Sequence, residues 1–385
     1  MKIVAVVGTR PQLIKEAALQ PLLRERHEEV FIDTGQHWDE AMAGAFFAEL
    51  GLARPDHSLG IGGGGHGDQT GRMLIALEPI LAAERPDAVL VFGDTNSTLA
   101  GALAAAKLGI PVAHVEAGLR SFDRRMPEEL NRVVADQLAT WRFAPTPTAV
   151  SNLAAEGIVE GVFEVGDVMR DLTARVAQEV RDPAVLPTIA ARLGQGQGRG
   201  LVDLAPGGYL FATVHRAENR TPDALRAWTR LLGAVGRPER PVILALHPGT
   251  RRALDAAAVR LPDTVRAVEP PGYRTTLALQ LHAAAVLTDS GGIQREAAWL
   301  GVPCLVLRDT TEWLEAVADS DGRMVVIGLD PERAAAELAR LAPPDRAAAV
   351  ARARATELRL EPSGAAAAIV AALDGALRVA AGPVR

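Results

Sequence analysis

The sequence predicts an α/β fold built as two doubly wound domains, and three observations carry that prediction. Short apolar runs alternate with amphipathic or alanine-rich helical stretches, the pattern of a parallel sheet covered on both faces. The alternation comes in two successive series, with a changeover near Gly166–Asp171. A chain of 385 residues is also long enough to bury two separate cores.

In the first series, strands are expected at Ile3–Val7, Glu29–Thr34, Ala88–Phe92, Val112–Val115, Arg142–Ala144 and Gly161–Val165. Between them, helices are expected at Gln12–Arg26, Asp39–Leu50, Asp68–Glu84, Ser97–Leu108, Glu128–Ala139 and Thr146–Glu156. The second series offers strands at Tyr209–Val214, Val242–Leu246, Val265–Val268, Ala285–Thr288, Cys304–Leu307 and Met324–Ile327, again separated by helices. The glycine-rich stretch Arg192–Gly208 is expected as a surface loop, since it lacks the GxxxxGK[ST] phosphate-loop pattern. The first domain is assigned residues 1–167 and the second 168–362. The closing helix, Gly364–Val379 within 363–385, is expected to pack back on the first domain.

Composition is that of an ordinary soluble protein, 48% apolar and 23% charged, with a net charge of -6. Without a basic excess to neutralise phosphates, the charge argues against a general nucleic-acid binder and leaves room only for a local basic pocket. The single cysteine, Cys304, lies in the apolar run VPCLVL and reads as a small core residue. No Cys/His cluster has metal-site spacing, so no metal is expected. The start, MKIVAVVG, is too short for a signal-peptide apolar region and no run reaches membrane-spanning length, so a cytoplasmic protein is expected.

The polar residues with chemical potential fall just after strands, where doubly wound domains carry function. The first strand ends in GTRPQLIK, which is not the GxGxxG dinucleotide fingerprint. Its Arg10, at a helix start, can reach a diphosphate, with Lys15 about a turn further on; a surface salt bridge is the plainer use. VLVFGDTNST places Asp94 at a strand end and HVEAGLRS does the same for Glu116, while RRMPEELNR puts Glu128 and Glu129 at a helix start. Any one of these could be a cap or a solvated charge. Several carboxylates at the ends of one parallel sheet would instead crowd together, and crowding raises a carboxylate's pKa and makes it a useful proton carrier. In the second half, FATVHRAEN ends in His215 and LALHPGT in His247; a lone strand-end histidine is more often a structural hydrogen-bonder than a catalyst.

The stretch AAAVLTDSGGIQREAAWLGVP, Ala283–Pro303, combines a buried strand, a turn and a helix start at Ser290-Gly291-Gly292. Free backbone N–H groups there suit an anion. Glu296 sits one turn on, on the same face as Gly292. If the ligand is a nucleotide, its phosphates take the helix start while Glu296 accepts from the two ribose hydroxyls.

These motifs carry a resemblance. VVGTRPQLIK, TGQH, GDTNSTLAG, HVEAGLRS, MPEELNR, HRAEN, LTDSGGIQREA and LRDTTE, in this order from Lys2 to Glu315, are similar to those of non-hydrolysing UDP-N-acetylglucosamine 2-epimerases. The resemblance implies two Rossmann-like domains of the GT-B type with the active site between them, and a homodimer. It implies that a carboxylate removes the sugar C2 proton while UDP leaves C1, giving 2-acetamidoglucal, before UDP adds back with protonation at the other face. It places Asp94, Glu116, Glu128 and His215 in catalysis, and Arg10, Ser290, Gly291, Gly292 and Glu296 at UDP. Lys15, His247 and Tyr273 join the UDP set more loosely. No cofactor or metal is implied, and no nucleic-acid or membrane partner.

The chain departs from the family pattern in places. Gln12-Leu13 stands where Glu-Ala is frequent, VGDVMRD replaces a GNTVID-like linker, and Trp313-Leu314 stands where many relatives have Arg-Pro, which removes an expected cation near the ligand. Gln36 and Gln69 are the only suggestive remnants of a second, activating UDP-sugar site, and allosteric activation is not expected. Three other readings compete: a GT-B glycosyltransferase sharing the same UDP site, a family member acting on another UDP-acetamido sugar, and a binding protein that keeps the UDP site without turnover.

Overall fold

Ile3–Val7 has no solvent exposure at any of its five positions, so the first strand can only be one covered on both faces. In the computed structural model it is β1 (Lys2–Val7), near the middle of an all-parallel sheet. The structure describes residues 1–36, 47–194, 204–311, 313–343, 345–357, 360 and 362–380. By their contacts these form two units, Met1–Leu172 with Pro362–Arg385, and Thr173–Glu361.

The sheet of the first unit also holds β2 (Glu28–Asp33), β3 (His57–Ser58), β4 (Ala88–Phe92), β5 (Val112–Val115), β6 (Trp141–Ala144) and β7 (Val162–Glu164), in the order β3-β2-β1-β4-β5-β6-β7. The second unit's sheet contains β8 (Leu210–Thr213), β9 (Val242–Ala245), β10 (Val265–Val268), β11 (Ala285–Thr288), β12 (Cys304–Val306) and β13 (Met324–Val326), in the order β10-β9-β8-β11-β12-β13. Each order reverses beside its first strand, between β1 and β4 and between β8 and β11. Chain connections diverge at such a switch point and leave a crevice beyond the carboxyl ends of the strands.

Each sheet has its own core. Val4, Val6, Val89 and Val91 pack with Met73, Leu77 and Leu81 of the helix His66–Glu84 in the first unit. Leu210, Ala212, Leu287 and Leu305 pack with Trp228, Leu231 and Leu232 of the helix Pro222–Val235 in the second. Burying each such side chain stabilises the fold by about 1.5–3 kcal/mol. Cys304 lies fully buried, and burial pushes its thiol up to about 12.

The last helix, Ala365–Ala380, packs on the helix Arg10–Arg26, and Asp374 pairs with Arg26. Its start is capped from outside by Asp171, which accepts from the Gly364 and Ala366 N–H groups at 3.0 and 2.9 Å and from the Ser363 hydroxyl at 2.8 Å.

The structure differs from the sequence reading in three places. β3 is two polar residues long, too short to stand out as an apolar run. The helix Val185–Gly194 occupies the first residues of the expected glycine-rich loop, and 195–203 lie outside the described residues. The helix Val168–Val180 starts inside the expected linker. Of the expected helix Asp39–Leu50, only 47–50 are described, and they are helical. Among the described residues no helix is long and apolar enough to cross a membrane, and no group of His, Cys, Asp and Glu has a metal-holding arrangement.

Candidate active site

In the first unit the polar residues gather at the ends of β1, β4 and β5. Gly8 follows β1 where a side chain has no room: a Cβ would lie 2.0 Å from Thr34 Oγ1 and 2.2 Å from Ser97 Oγ. Gln12 ties this turn to the next strand, accepting from the Gly8 N–H at 2.8 Å and donating to the Phe92 carbonyl at 2.8 Å. An amide does both, which a glutamate at this position could not. Arg10 opens the helix Arg10–Arg26, and burial lowers its pKa against the opposing charge of Glu49.

Asp94 and Glu116 leave the ends of the neighbouring strands β4 and β5. Asp94 pairs with Arg132 on the helix Pro127–Leu138, while Asn131 donates to the Asp94 carbonyl at 3.0 Å. Burial pushes the Asp94 carboxyl up; the Glu116 charge adds to this, and Arg132 and Lys15 oppose it. Glu116 pairs with Lys15, so the structure places Lys15 on a carboxylate of its own unit. Gly93 makes room for that pair, since a Cβ there would lie 3.2 Å from both Glu116 Oε2 and Lys15 Nζ. Glu116 itself has φ +70°, a conformation that costs a non-glycine residue of order 1–3 kcal/mol and clusters at functional sites.

The two glutamates of the MPEELNR motif part company. Glu128 is exposed, with no hydrogen bond or ion pair to Asp94 or Glu116 among the described residues. Glu129 is buried and accepts from the Ser121 N–H at 2.8 Å, the Ser121 hydroxyl at 2.9 Å and the Phe122 N–H at 3.0 Å, so it shapes the loop before its helix. Gln36 and Gln69 are both buried and used within the unit. Gln36 accepts from the Ser97 N–H and hydroxyl, and Gln69 accepts from Asn96 at 2.8 Å, at the start of the helix Asn96–Lys107.

In the second unit the centre is Asp289, fully buried just after β11. Its carboxylate accepts from the His215 N–H at 3.0 and 3.1 Å, the Arg216 N–H at 2.9 Å and the Asn219 amide at 2.9 Å, with the His215 ring Nδ1 at 3.2 Å. Burial alone would raise this carboxyl, but the His215 ring, Asn219 and the Arg216 N–H hold it below the usual range. Asp289 thereby fixes the turn after β8 against the turn after β11. His247 caps the helix Pro248–Ala256 by accepting from the Gly249 N–H at 3.1 Å, and its ring centre lies 6.4 Å from that of His215. Tyr273 is buried, its hydroxyl 3.1 Å from Thr173 Oγ1.

Ser290 precedes the helix Gly291–Trp299, and its side chain does not cap it. The first N–H groups of that helix, from Gly291 and Gly292, have no intrahelical acceptor, which is the arrangement that binds anions. A Cβ on Gly291 would lie 2.7 Å from Trp313 Nε1, so glycine lets the indole close over the helix start. The Arg295 guanidinium stacks on the other part of this assembly, 3.9 Å from the Trp313 ring centre. Arg295 thus sets a cation on the Trp313 ring. Glu296 is 3% exposed and accepts from the Gln280 amide at 2.5 Å.

The family model described as UDP-N-acetylglucosamine 2-epimerase matches residues 22–373. The chain belongs to that family. A UDP-N-acetylglucosamine 2-epimerase homolog of Methanococcus maripaludis is 44% identical over 339 residues, 86% of this chain and 90% of that protein. The UDP-2,3-diacetamido-2,3-dideoxy-D-glucuronate 2-epimerase of Pseudomonas aeruginosa is 42% identical over 334 residues, 85% of this chain and 88% of that protein. A crystal structure of Methanocaldococcus jannaschii UDP-GlcNAc 2-epimerase in complex with UDP-GlcNAc and UDP matches with a TM-score of 0.77 at 37% identity, over 90% of this chain and 94% of that one. The fold is thus the GT-B-like, two-domain α/β type, and the chain is a UDP-sugar 2-epimerase by family.

Within this epimerase, sequence reading passed over Asp289, Arg132 and Arg295. Asp289 was visible as an acid at a strand end, but its partners lie in the turn after β8, a neighbour only through the sheet order. Arg132 lies one turn beyond Glu128 in the same motif, at a spacing where helix residues share a face.

Proposed function

We propose that this epimerase interconverts UDP-N-acetylglucosamine and UDP-N-acetylmannosamine at C2 by anti elimination and readdition of UDP, through 2-acetamidoglucal. The observation that carries the reading is the pair Asp94 and Glu116 at the ends of adjacent strands, each beside a cation but with Asp94 displaced toward the protonated form. Epimerisation has to remove a proton from one face of C2 and deliver one to the other, so it needs two proton carriers. Positioned acid–base groups typically contribute about 10²–10⁴-fold.

In the elimination step the C2–H bond breaks and its proton passes to a carboxylate. The bonding pair becomes the C1–C2 double bond, and the C1–O bond breaks with its electrons on UDP. Coupling proton loss to departure of a diphosphate avoids a full carbanion. The helix start at Gly291–Gly292, with His215, Arg10 and Arg216, is assigned to the charge that develops on the leaving group. A helix terminus offers about 0.3–2 kcal/mol, so the side chains supply much of the rest. Glu296 is assigned to the ribose hydroxyls, Glu128 to the acid–base set from its helix start, and Lys15 to holding the Glu116 side chain in position. His247, Ser290 and Tyr273 complete the nucleotide set, and a homodimer is part of the proposal.

The relative that acts on a diacetamido glucuronate supports a second substrate of the same class. Proton NMR of the enzyme in D2O tests both: deuterium at C2 with appearance of the manno epimer is expected from UDP-N-acetylglucosamine. Exchange only with the diacetamido uronate would move the substrate while keeping the mechanism. UDP binding with no exchange on either would overturn the epimerase assignment.

A further inference from the structure

β5 reads Val112-Ala113-His114-Val115, with a histidine where its neighbours are apolar core residues. The His114 side chain is fully buried. Its Nε2 lies 2.7 Å from the Gly93 carbonyl and its Nδ1 2.7 Å from Asp136 Oδ1. Both partners are oxygens, so each ring nitrogen faces an acceptor. Asp136, also fully buried, accepts through its other oxygen from the Gly118 N–H at 3.1 Å and from Arg120 at 2.7 Å.

The two ends of this assembly are not arbitrary points of the chain. Gly93 immediately precedes Asp94, and Gly118 follows Glu116 by two residues. Both turns run through left-handed backbone, with φ +60° at Gly93, +70° at Glu116 and +82° at Gly118. Glycine takes such a backbone freely, but at Glu116 it persists only where the surroundings determine it.

We propose that His114 is the positioning residue that sets Asp94 and Glu116 relative to each other. It acts as a strut between the two turns, tied directly to the carbonyl before Asp94 and through Asp136 to the amide after Glu116. It touches no substrate. The inference rests on the reading of Asp94 and Glu116 as the proton carriers, and it adds that their mutual placement depends on one buried ring.

The test is the kinetics of His114→Phe, which keeps a ring but donates nothing, beside His114→Gln, whose amide can still reach one of the two partners. Since misplacement by about 1 Å can cost about 100-fold in rate, His114→Phe is expected to lose about 30–100-fold in kcat. KM and the UDP Kd, read by calorimetry, should stay within about threefold, and His114→Gln should recover about a third or more of the lost logarithm. A kcat within about threefold of wild type in His114→Phe overturns the proposal, as does a rate loss matched by a rise in KM. Should the phenylalanine variant not fold, Asp136→Asn carries the same test: a loss confined to kcat supports the strut, and unchanged kcat overturns it. Failure of the epimerase reading would show differently, as a wild-type enzyme that binds UDP and exchanges no C2 proton.

Discussion

Asp94, half-buried, and Asp289, fully buried, are both aspartates at the switch point of a parallel sheet, yet their environments drive them in opposite directions. Asp94 is surrounded by charges of both signs, and burial with the Glu116 charge pushes its carboxyl up. Asp289 faces the His215 ring and accepts from the Asn219 amide and the Arg216 N–H, and those partners hold it down. At Asp289 the partners that favour the ionised form outweigh burial, and at Asp94 they do not. Asp94, proposed as a proton carrier, is offered Arg132, whereas Asp289 is offered several donors that fix backbone. The first unit therefore presents titrating side chains, while the second presents fixed N–H groups.

The largest effect that could break this comparison is expected from Asp94→Asn. C2 exchange should fall about 10²–10⁴-fold while the UDP Kd stays nearly constant. If nucleotide affinity fell in step with exchange, the division of labour between the units would be lost. A smaller effect is expected in the second unit from Glu296→Ala. Loss of charge-assisted hydrogen bonds should weaken UDP by about tenfold or more but leave 2′-deoxy-UDP much less affected. Equal weakening of both nucleotides would remove Glu296 from the ribose.

The smallest effect concerns a buried acid away from both turns. Glu16 is fully buried, and burial with the neighbouring Glu29 pushes its carboxyl well above the usual range, against the opposing effects of Arg24 and Gln20. A raised folded-state pKa means that its protonation favours the fold fully below the ordinary glutamate value of about 4.3. That contribution is lost as the pH rises through the raised value. Glu16→Gln, which stays neutral, should therefore raise the Tm by about 2–4 °C at pH 8 and leave it unchanged near pH 4. A gain independent of pH would mean that packing, rather than ionisation, is responsible.

The strands that carry the site were legible because each is an apolar run ending abruptly in polar residues, as in VLVFGDTNST and FATVHRAEN. What the sequence could not show was adjacency. Asp289 needs β8 beside β11, and Gln12 needs β1 beside β4, although tens of residues separate the partners along the chain. His114 was hidden in another way, because a single polar residue within a strand run looks like noise until its two partners are seen. Lys15 shows the converse: its position about a turn into the helix was evident, but a long side chain can turn to several acceptors, and here it meets Glu116. The two-residue β3 left no pattern at all.

The first unit is assembled from both ends of the chain, Met1–Leu172 and Pro362–Arg385, with Asp171 capping the helix that completes it. That arrangement has a consequence for synthesis. A nascent chain that has reached Leu172 still lacks Ile369, Val370 and Leu373, buried residues of the helix that packs on Arg10–Arg26. All of Thr173–Glu361 must be translated first, which takes roughly 10–40 s at about 5–20 residues per second. Throughout that interval the apolar face awaiting the last helix is open to chaperones, while the second unit, continuous in sequence, can finish folding as it emerges.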